Sequence, residues 1–325
     1  MRMKFEAVRA AALGAVVMLG VAIAPHDAGA QGLTFSSGQG VAPAFEGWKG
    51  NADGTFSLVF GYMNRNWEEQ PDLLIGEANF FSPGPADRGQ PTHFLPRRNR
   101  FVFEVRVPAD FGEQELAWTL QRNGESETAY GSLRPDYFID NVVIMSEAGT
   151  LGAGTSSPEL RAHTPPVVEM RTPTEIQAVV GRPVRIEAWI GDDGLPRRSR
   201  NRLPLTDTGG LDLERALIAP PSRITVQKIM GLNMSWSVYR GPAEVEAQEV
   251  TSFNPPQVAA WEDTRPFANS PWAPFWVPPE LPEDGVWIAE VTFTQPGTYV
   301  LRGRADDGGL FTDQRVTVHV GPPIS

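Results

Sequence analysis

The chain contains no cysteine. That excludes disulfides, thiolate nucleophiles, cysteine-ligated zinc or iron–sulfur clusters, and a lipid anchor on an N-terminal cysteine. Lysine is nearly absent as well. Lys4, Lys49 and Lys228 are the only three among 28 basic residues, a bias read as compositional. Acidic residues number 39 and the net charge is −11, so no bulk attraction to nucleic acid or anionic lipid is expected. The sequence has no G-x-S-x-G elbow, H-E-x-x-H pair, P-loop or complete G-x-G-x-x-G, and an enzyme is not expected. Beyond residue 30 no apolar run reaches the roughly 20 residues a membrane-spanning helix needs.

What the chain does have is glycine and proline, 32 and 30 in 325 residues, with 41% hydrophobic residues to build a core. That composition disfavours long helices and favours short strands joined by turns. The first thirty residues read differently. Arg2, Lys4 and Arg9 form a positive start, Ala10 to Ala24 is an uncharged apolar run, Pro25 ends it, and Ala28-Gly29-Ala30 is a small-x-small cleavage site. This is the pattern of a secretory signal peptide over residues 1–30. Its removal leaves a chain beginning at Gln31, expected in the periplasm or outside a bacterial cell, with no membrane insertion after cleavage.

The remaining length suggests two domains. Residues 146–175, rich in Gly, Ser, Thr and Pro, read as the connection, giving an N-terminal domain at 31–160 and a C-terminal domain at 161–325. The second carries long insertions at 194–231 and 250–284. Period-two alternation marks strands: Phe56, Leu58, Phe60 and Tyr62 share one face, as do Phe101, Phe103, Val105 and Val107, and Leu116, Trp118 and Leu120. In the second half Val184, Ile186, Ala188 and Ile190 alternate with polar neighbours. Met234, Trp236 and Val238 form a further row, and Trp287, Ala289, Val291 and Phe293 another. The expected fold is all-β, two antiparallel β-sandwich domains after the signal peptide.

The run PGTYVLRGRADDGGLFTDQRVTVHV at 296–320 resembles the last two strands of PKD-like and cadherin-like immunoglobulin-fold modules. The resemblance implies that Tyr299 is a tyrosine corner bonding back to the backbone, that Leu301 is in the core, and that Trp236 is the core tryptophan. The W-D-F-G-D-G motif of many PKD domains is absent, and Met234-Ser-Trp-Ser-Val-Tyr239 stands instead. Such modules imply binding, spacing or adhesion. The N-terminal half resembles exported bacterial proteins and carries the motifs of no enzyme family.

Candidate sites follow from residue types. Asp192 and Asp193 end one strand, Asp306 and Asp307 another, and an immunoglobulin-type sandwich would bring both turns to one end. Four carboxylates there suit a structural calcium ion, with Asp207 and Asp212 near enough in sequence to help. The alternative is that each Asp-Gly pair only closes its own turn. Arg97 and Arg98, and again Arg197 and Arg198, are forks suited to sulfate, phosphate or carboxylate groups. Trp261, Trp272, Phe275 and Trp276 lie in a proline-rich segment and offer either a stacking platform or a packed cover. His93, His163 and His319 stand on separate elements and form no metal-ligand spacing. The expected function is an exported, non-catalytic protein with a binding, adhesion or structural role at the cell envelope or outside it, its partner a cell-surface protein or glycan, with no required cofactor. An accessory glycan-binding subunit and a carboxylate-based glycoside hydrolase are the alternatives.

Overall fold

The computed structural model describes residues 35–147, 157–196, 231–242, 251–255 and 281–323. The expected signal peptide lies outside the described residues. The described residues from Ser36 onward form one compact unit, built around β-sheets in two face-to-face pairs.

The first pair uses β1 (Val41–Gly50), β2 (Phe56–Asn64) and β4 (Arg97–Val107) in the order β1-β2-β4. Against them lie β3 (Asn79–Ser82), β5 (Leu116–Arg122) and β6 (Glu125–Gly131) in the order β3-β5-β6. All pairings are antiparallel. The alternating apolar rows face inward. Phe60, Phe81, Phe94, Phe103 and Trp118 are buried together, with Phe103 edge-on to Trp118 at 5.0 Å and Phe60 edge-on to Phe81 at 5.3 Å. Offset and edge-on rings favour one packing over many. Such a core, together with buried amide networks, orders long loops without disulfides. Asn79 donates to the carbonyls of Leu73 and Pro91 and accepts from Trp118 Nε1. Asn64 donates to those of Glu69 and Phe94.

β1 departs from simple alternation. A bulge between Phe45 and Gly47 inserts one residue, so Phe45 and Trp48 both pack against this core although an odd number of positions separates them.

The second pair is formed by β7 (Val167–Met170), β8 (Glu175–Val179), β9 (Val184–Gly191), β10 (Asn233–Arg240), β11 (Thr251–Asn254), β12 (Val286–Phe293), β13 (Gly297–Asp306) and β14 (Phe311–Gly321). The sheets are β10-β13-β14-β8 and β11-β12-β9-β7. Only the β14–β8 pairing is parallel among those described. The stretch that reads as a connection supplies one edge strand, β7, and the other edge strand, β8, starts at its last residue, Glu175. Ile186, Trp236, Val291, Phe293, Leu301 and Val318 fill the core. Tyr299 donates from its hydroxyl to the Gln295 carbonyl at 3.0 Å, as a tyrosine corner does.

The outer face of β10-β13-β14 docks on the first sandwich. Tyr239 is buried in the first core, its carbonyl accepts from Thr92 N, and Arg240 pairs with Asp87 and donates to the Gln90 carbonyl. Arg304 binds Asp313 and the Phe101 carbonyl. A short helix, α1 (Asn141–Glu147), adds Ile144 and Met145 to a small cluster with Val59, Phe101 and Leu310. These contacts fasten the sandwiches to each other.

Candidate functional site

Each Asp-Asp-Gly turn is closed by its own carboxylates. Asp192 accepts from Gly194 N and Asp306 from Gly308 N, with both glycines at positive φ. The second aspartate of each turn reaches further. Both Asp193 oxygens lie 3.0 Å from His163 Nδ1, and Asp307 Oδ2 lies 3.1 Å from His163 Nε2. His163 arrives on a third segment, after the single helical turn Pro158–Arg161 that Ser157 caps through Leu160 N. Its side chain is 0% exposed and that of Asp307 is 1% exposed. The two turns do meet at one tip, and the group between the inner pair is an imidazole.

The inner pair also accepts from its own turns and from Thr164. Asp193 Oδ2 accepts from the backbone and hydroxyl of Thr164, and Oδ1 from Leu195 N. Asp307 Oδ1 accepts from Gly309 N and Leu310 N. Burial pushes the Asp307 carboxyl up to about 6 against those N–H donors. Burial acts the same way on Asp193, but the Thr164, His163 and Leu195 donors outweigh it and hold that carboxyl at about 2. Asp192 is raised, chiefly by burial. Among the described residues, no group of three or more His, Asp or Glu side chains is set to hold a metal ion. Asp207 and Asp212 lie outside the described residues.

The two described arginines of the basic forks are already engaged. Arg97 lies 4.2 Å from the centre of the Trp67 ring and donates to the Arg65 carbonyl. Arg98 binds Glu46 at 2.8 Å and the carbonyls of Tyr62 and Asn99. Arg197, Arg198, Trp261, Trp272, Phe275 and Trp276 lie outside the described residues.

The other two described histidines are also held at both nitrogens. His93 spans Asp72 and Gln70, each at 3.0 Å. His319 spans Thr298 and Glu175.

A further surface has no counterpart among the expected sites. The 3-10 turn Pro135–Tyr137, followed by Phe138, runs across the end of β1. Trp48 Nε1 donates to the Arg134 carbonyl at 2.8 Å, and Ile139 N donates to the Trp48 carbonyl at 2.9 Å. Gly47, at φ +139°, permits this approach. A Cβ there would lie 2.5 Å from the Tyr137 carbonyl oxygen and 2.6 Å from Ile139 Cγ2. On this frame the rings of Tyr137 and Phe138 stand 44% and 51% exposed. Phe138 is edge-on to Trp48 at 5.1 Å, and Tyr137 is edge-on to Phe45 at 5.5 Å. The sequence signal was slight: two adjacent aromatics after Arg134-Pro135-Asp136, outside any alternating run.

No family model matches the chain, and no curated protein matches its sequence. Solved structures do match. The PKD domain of human KIAA0319 aligns over 53% of this chain and 95% of its own, at 12% identity and a TM-score of 0.23. Domains 4 and 5 of the S-layer protein SbsC align over 87% and 98%, at 9% identity and a TM-score of 0.20. A titin I-band fragment, I67–I69, aligns over 87% and 64%, at 8% identity and a TM-score of 0.22. The matches are to PKD-like and immunoglobulin-like sandwiches. With scores at this level, the description of the fold rests on the strand pairing and the buried cores. Among the described residues, no helix is long and apolar enough to cross a membrane.

Proposed function

We propose that this chain is an exported, non-catalytic β-sandwich protein that binds a partner at or outside the cell envelope, and that it does so through the aromatic turn at Tyr137 and Phe138. The observation that carries this reading is two half-exposed rings on a backbone that cannot fold them away. Large apolar side chains are normally turned inward, and exposed aromatics on a rigid frame are the residues that dominate binding surfaces. Because Trp48 and Gly47 hold the turn in place, little ordering cost remains for association. The docked sandwiches support a role in presenting such a surface at a set distance. The non-catalytic part of the reading is supported by the three described histidines, each engaged at both nitrogens and therefore poorly placed to act as a base.

The test is capture of the purified protein by isolated bacterial envelopes. Tyr137→Ala with Phe138→Ala should reduce capture at least about tenfold, the loss of one good anchor (about 1.4 kcal/mol), measured at a temperature where the variant, which loses the ring contacts to Phe45 and Trp48, is still fully folded. Capture equal to that of the unaltered protein overturns the assignment to this surface.

A further inference from the structure

We propose that the aromatic turn and the hollow beside it bind a neutral saccharide. This inference rests on the reading above and names its ligand. The hollow has a volume of about 350 Å³, and its walls include Gly112, Glu113, Glu115, Ser132, Arg134 and Pro135. That volume is at the lower end of small-molecule sites, which run from roughly 300 to 1,000 Å³. Arg134 links the two features. It lines the hollow, and its guanidinium lies 5.9 Å from the centre of the Tyr137 ring.

The chemistry on offer is of two kinds. Glu113 and Glu115 present acceptors only, Arg134 presents donors only, and a serine hydroxyl does both. A sugar hydroxyl needs an acceptor and a donor together, and this set supplies them. The Phe138 ring, next along the chain and half-exposed, offers apolar surface to the C–H side of a pyranose. Other ligand classes fit less well. An anion would meet Glu113, Glu115 and Asp136 against the single cation Arg134. A cationic side chain would find the position over Tyr137 already filled by Arg134. A wholly apolar segment would bury the two carboxylates without partners.

The test is calorimetric titration of the full exported chain with cellohexaose, maltohexaose and chitohexaose as neutral probes, and hexagalacturonate as the charged one. At least one neutral hexamer should bind, with hexagalacturonate at least about tenfold weaker. Phe138→Ala and Glu115→Gln should each weaken the neutral probe by about tenfold. Glu115 is exposed, so folding is not at stake. Failure of every neutral hexamer, or binding indifferent to both substitutions, overturns the saccharide. The envelope experiment separates the two readings. Capture that depends on Phe138 without any hexamer binding keeps the surface and removes the saccharide, whereas loss of both removes both.

Discussion

His93 and His163 are held in nearly the same geometry, each ring spanning two side chains at 3.0–3.1 Å and each screened from solvent. Their partners differ in one respect. His93 lies between Asp72 and the amide of Gln70. A neutral ring can donate to the carboxylate, and the amide can turn either its oxygen or its NH2 toward the other nitrogen. His163 lies between two carboxylates, which only accept when ionised. With the ring neutral and both acids charged, one ring lone pair must face a negative charge. A single extra proton, on Nε2 or on Asp307 Oδ2, removes the conflict. The comparison shows that partner chemistry, more than distance or burial, decides whether both ring nitrogens can be satisfied without an extra proton at the site.

The largest expected effect comes from deleting the bridge. His163→Leu leaves Asp307 buried beside nothing that can donate to Oδ2. Breaking one side of a buried charged pair costs about 3–5 kcal/mol, so thermal or urea unfolding should report a loss of that order. A loss under about 1 kcal/mol would mean that the tip is held by its turns alone.

The next effect is the pH dependence itself. Asp307 is raised above its ordinary value, so the folded chain binds a proton there that the unfolded chain releases. Its contribution is present below about pH 4 and is lost as the pH rises toward 6. Asp193 is lowered and acts in the opposite sense, its contribution being lost as the pH falls from about 4 to 2. Melting temperature should therefore fall between pH 4 and pH 6.5. Asp307→Asn should flatten much of that fall, because the amide can donate to Nε2 while its oxygen keeps the Gly309 and Leu310 bonds. Some slope should remain, since burial also pushes Asp313, beside Arg302, up to about 6. Gln70→Glu sharpens the comparison. It converts the His93 site into a two-carboxylate site and should add a pH slope of the same sign. An unchanged profile in Gln70→Glu would refute the argument from partner chemistry.

Much of the second sandwich is legible in the sequence, because its strands alternate over sheets with one buried face. The row Ala289, Val291, Phe293 and the row Tyr299, Leu301 fall in the core as the pattern requires. Trp236 and Tyr299 also take the places that the immunoglobulin-like resemblance implies. The strands that escape notice are those without an alternating face. β6 is a polar edge, β7 is a half-buried edge in the stretch that reads as a connection, β8 is another that begins where that stretch ends, and the Glu46 bulge breaks the period of β1. The acidic tip follows the same logic. Asp-Gly pairs at strand ends announce themselves and predict that the turns meet. His163 does not, because it bonds 30 residues ahead to Asp193 and 144 ahead to Asp307, and nothing local to it marks either distance. The aromatic turn is hidden for a related reason, since its exposure depends on how Gly47 and Trp48 seat it and not on any periodicity of its own.

The smallest expected effect is that of calcium. An ion at the tip would need six to eight oxygen ligands. Asp193 and Asp307 already accept from Thr164, Leu195, Gly309, Leu310 and His163. Binding would displace those donors, so melting in excess calcium and in EDTA should agree to within about 1 °C. An ion present at about 100 times its dissociation constant would instead stabilise by about 2.7 kcal/mol, roughly 5–10 °C for domains of this size. A shift that large would also carry a second signature. A cation between Asp193 and Asp307 would neutralise the charge that the proton neutralises in its absence, so calcium would flatten the fall in stability between pH 4 and pH 6.5. A calcium shift that left the pH profile intact would place the ion elsewhere, away from the His163 bridge.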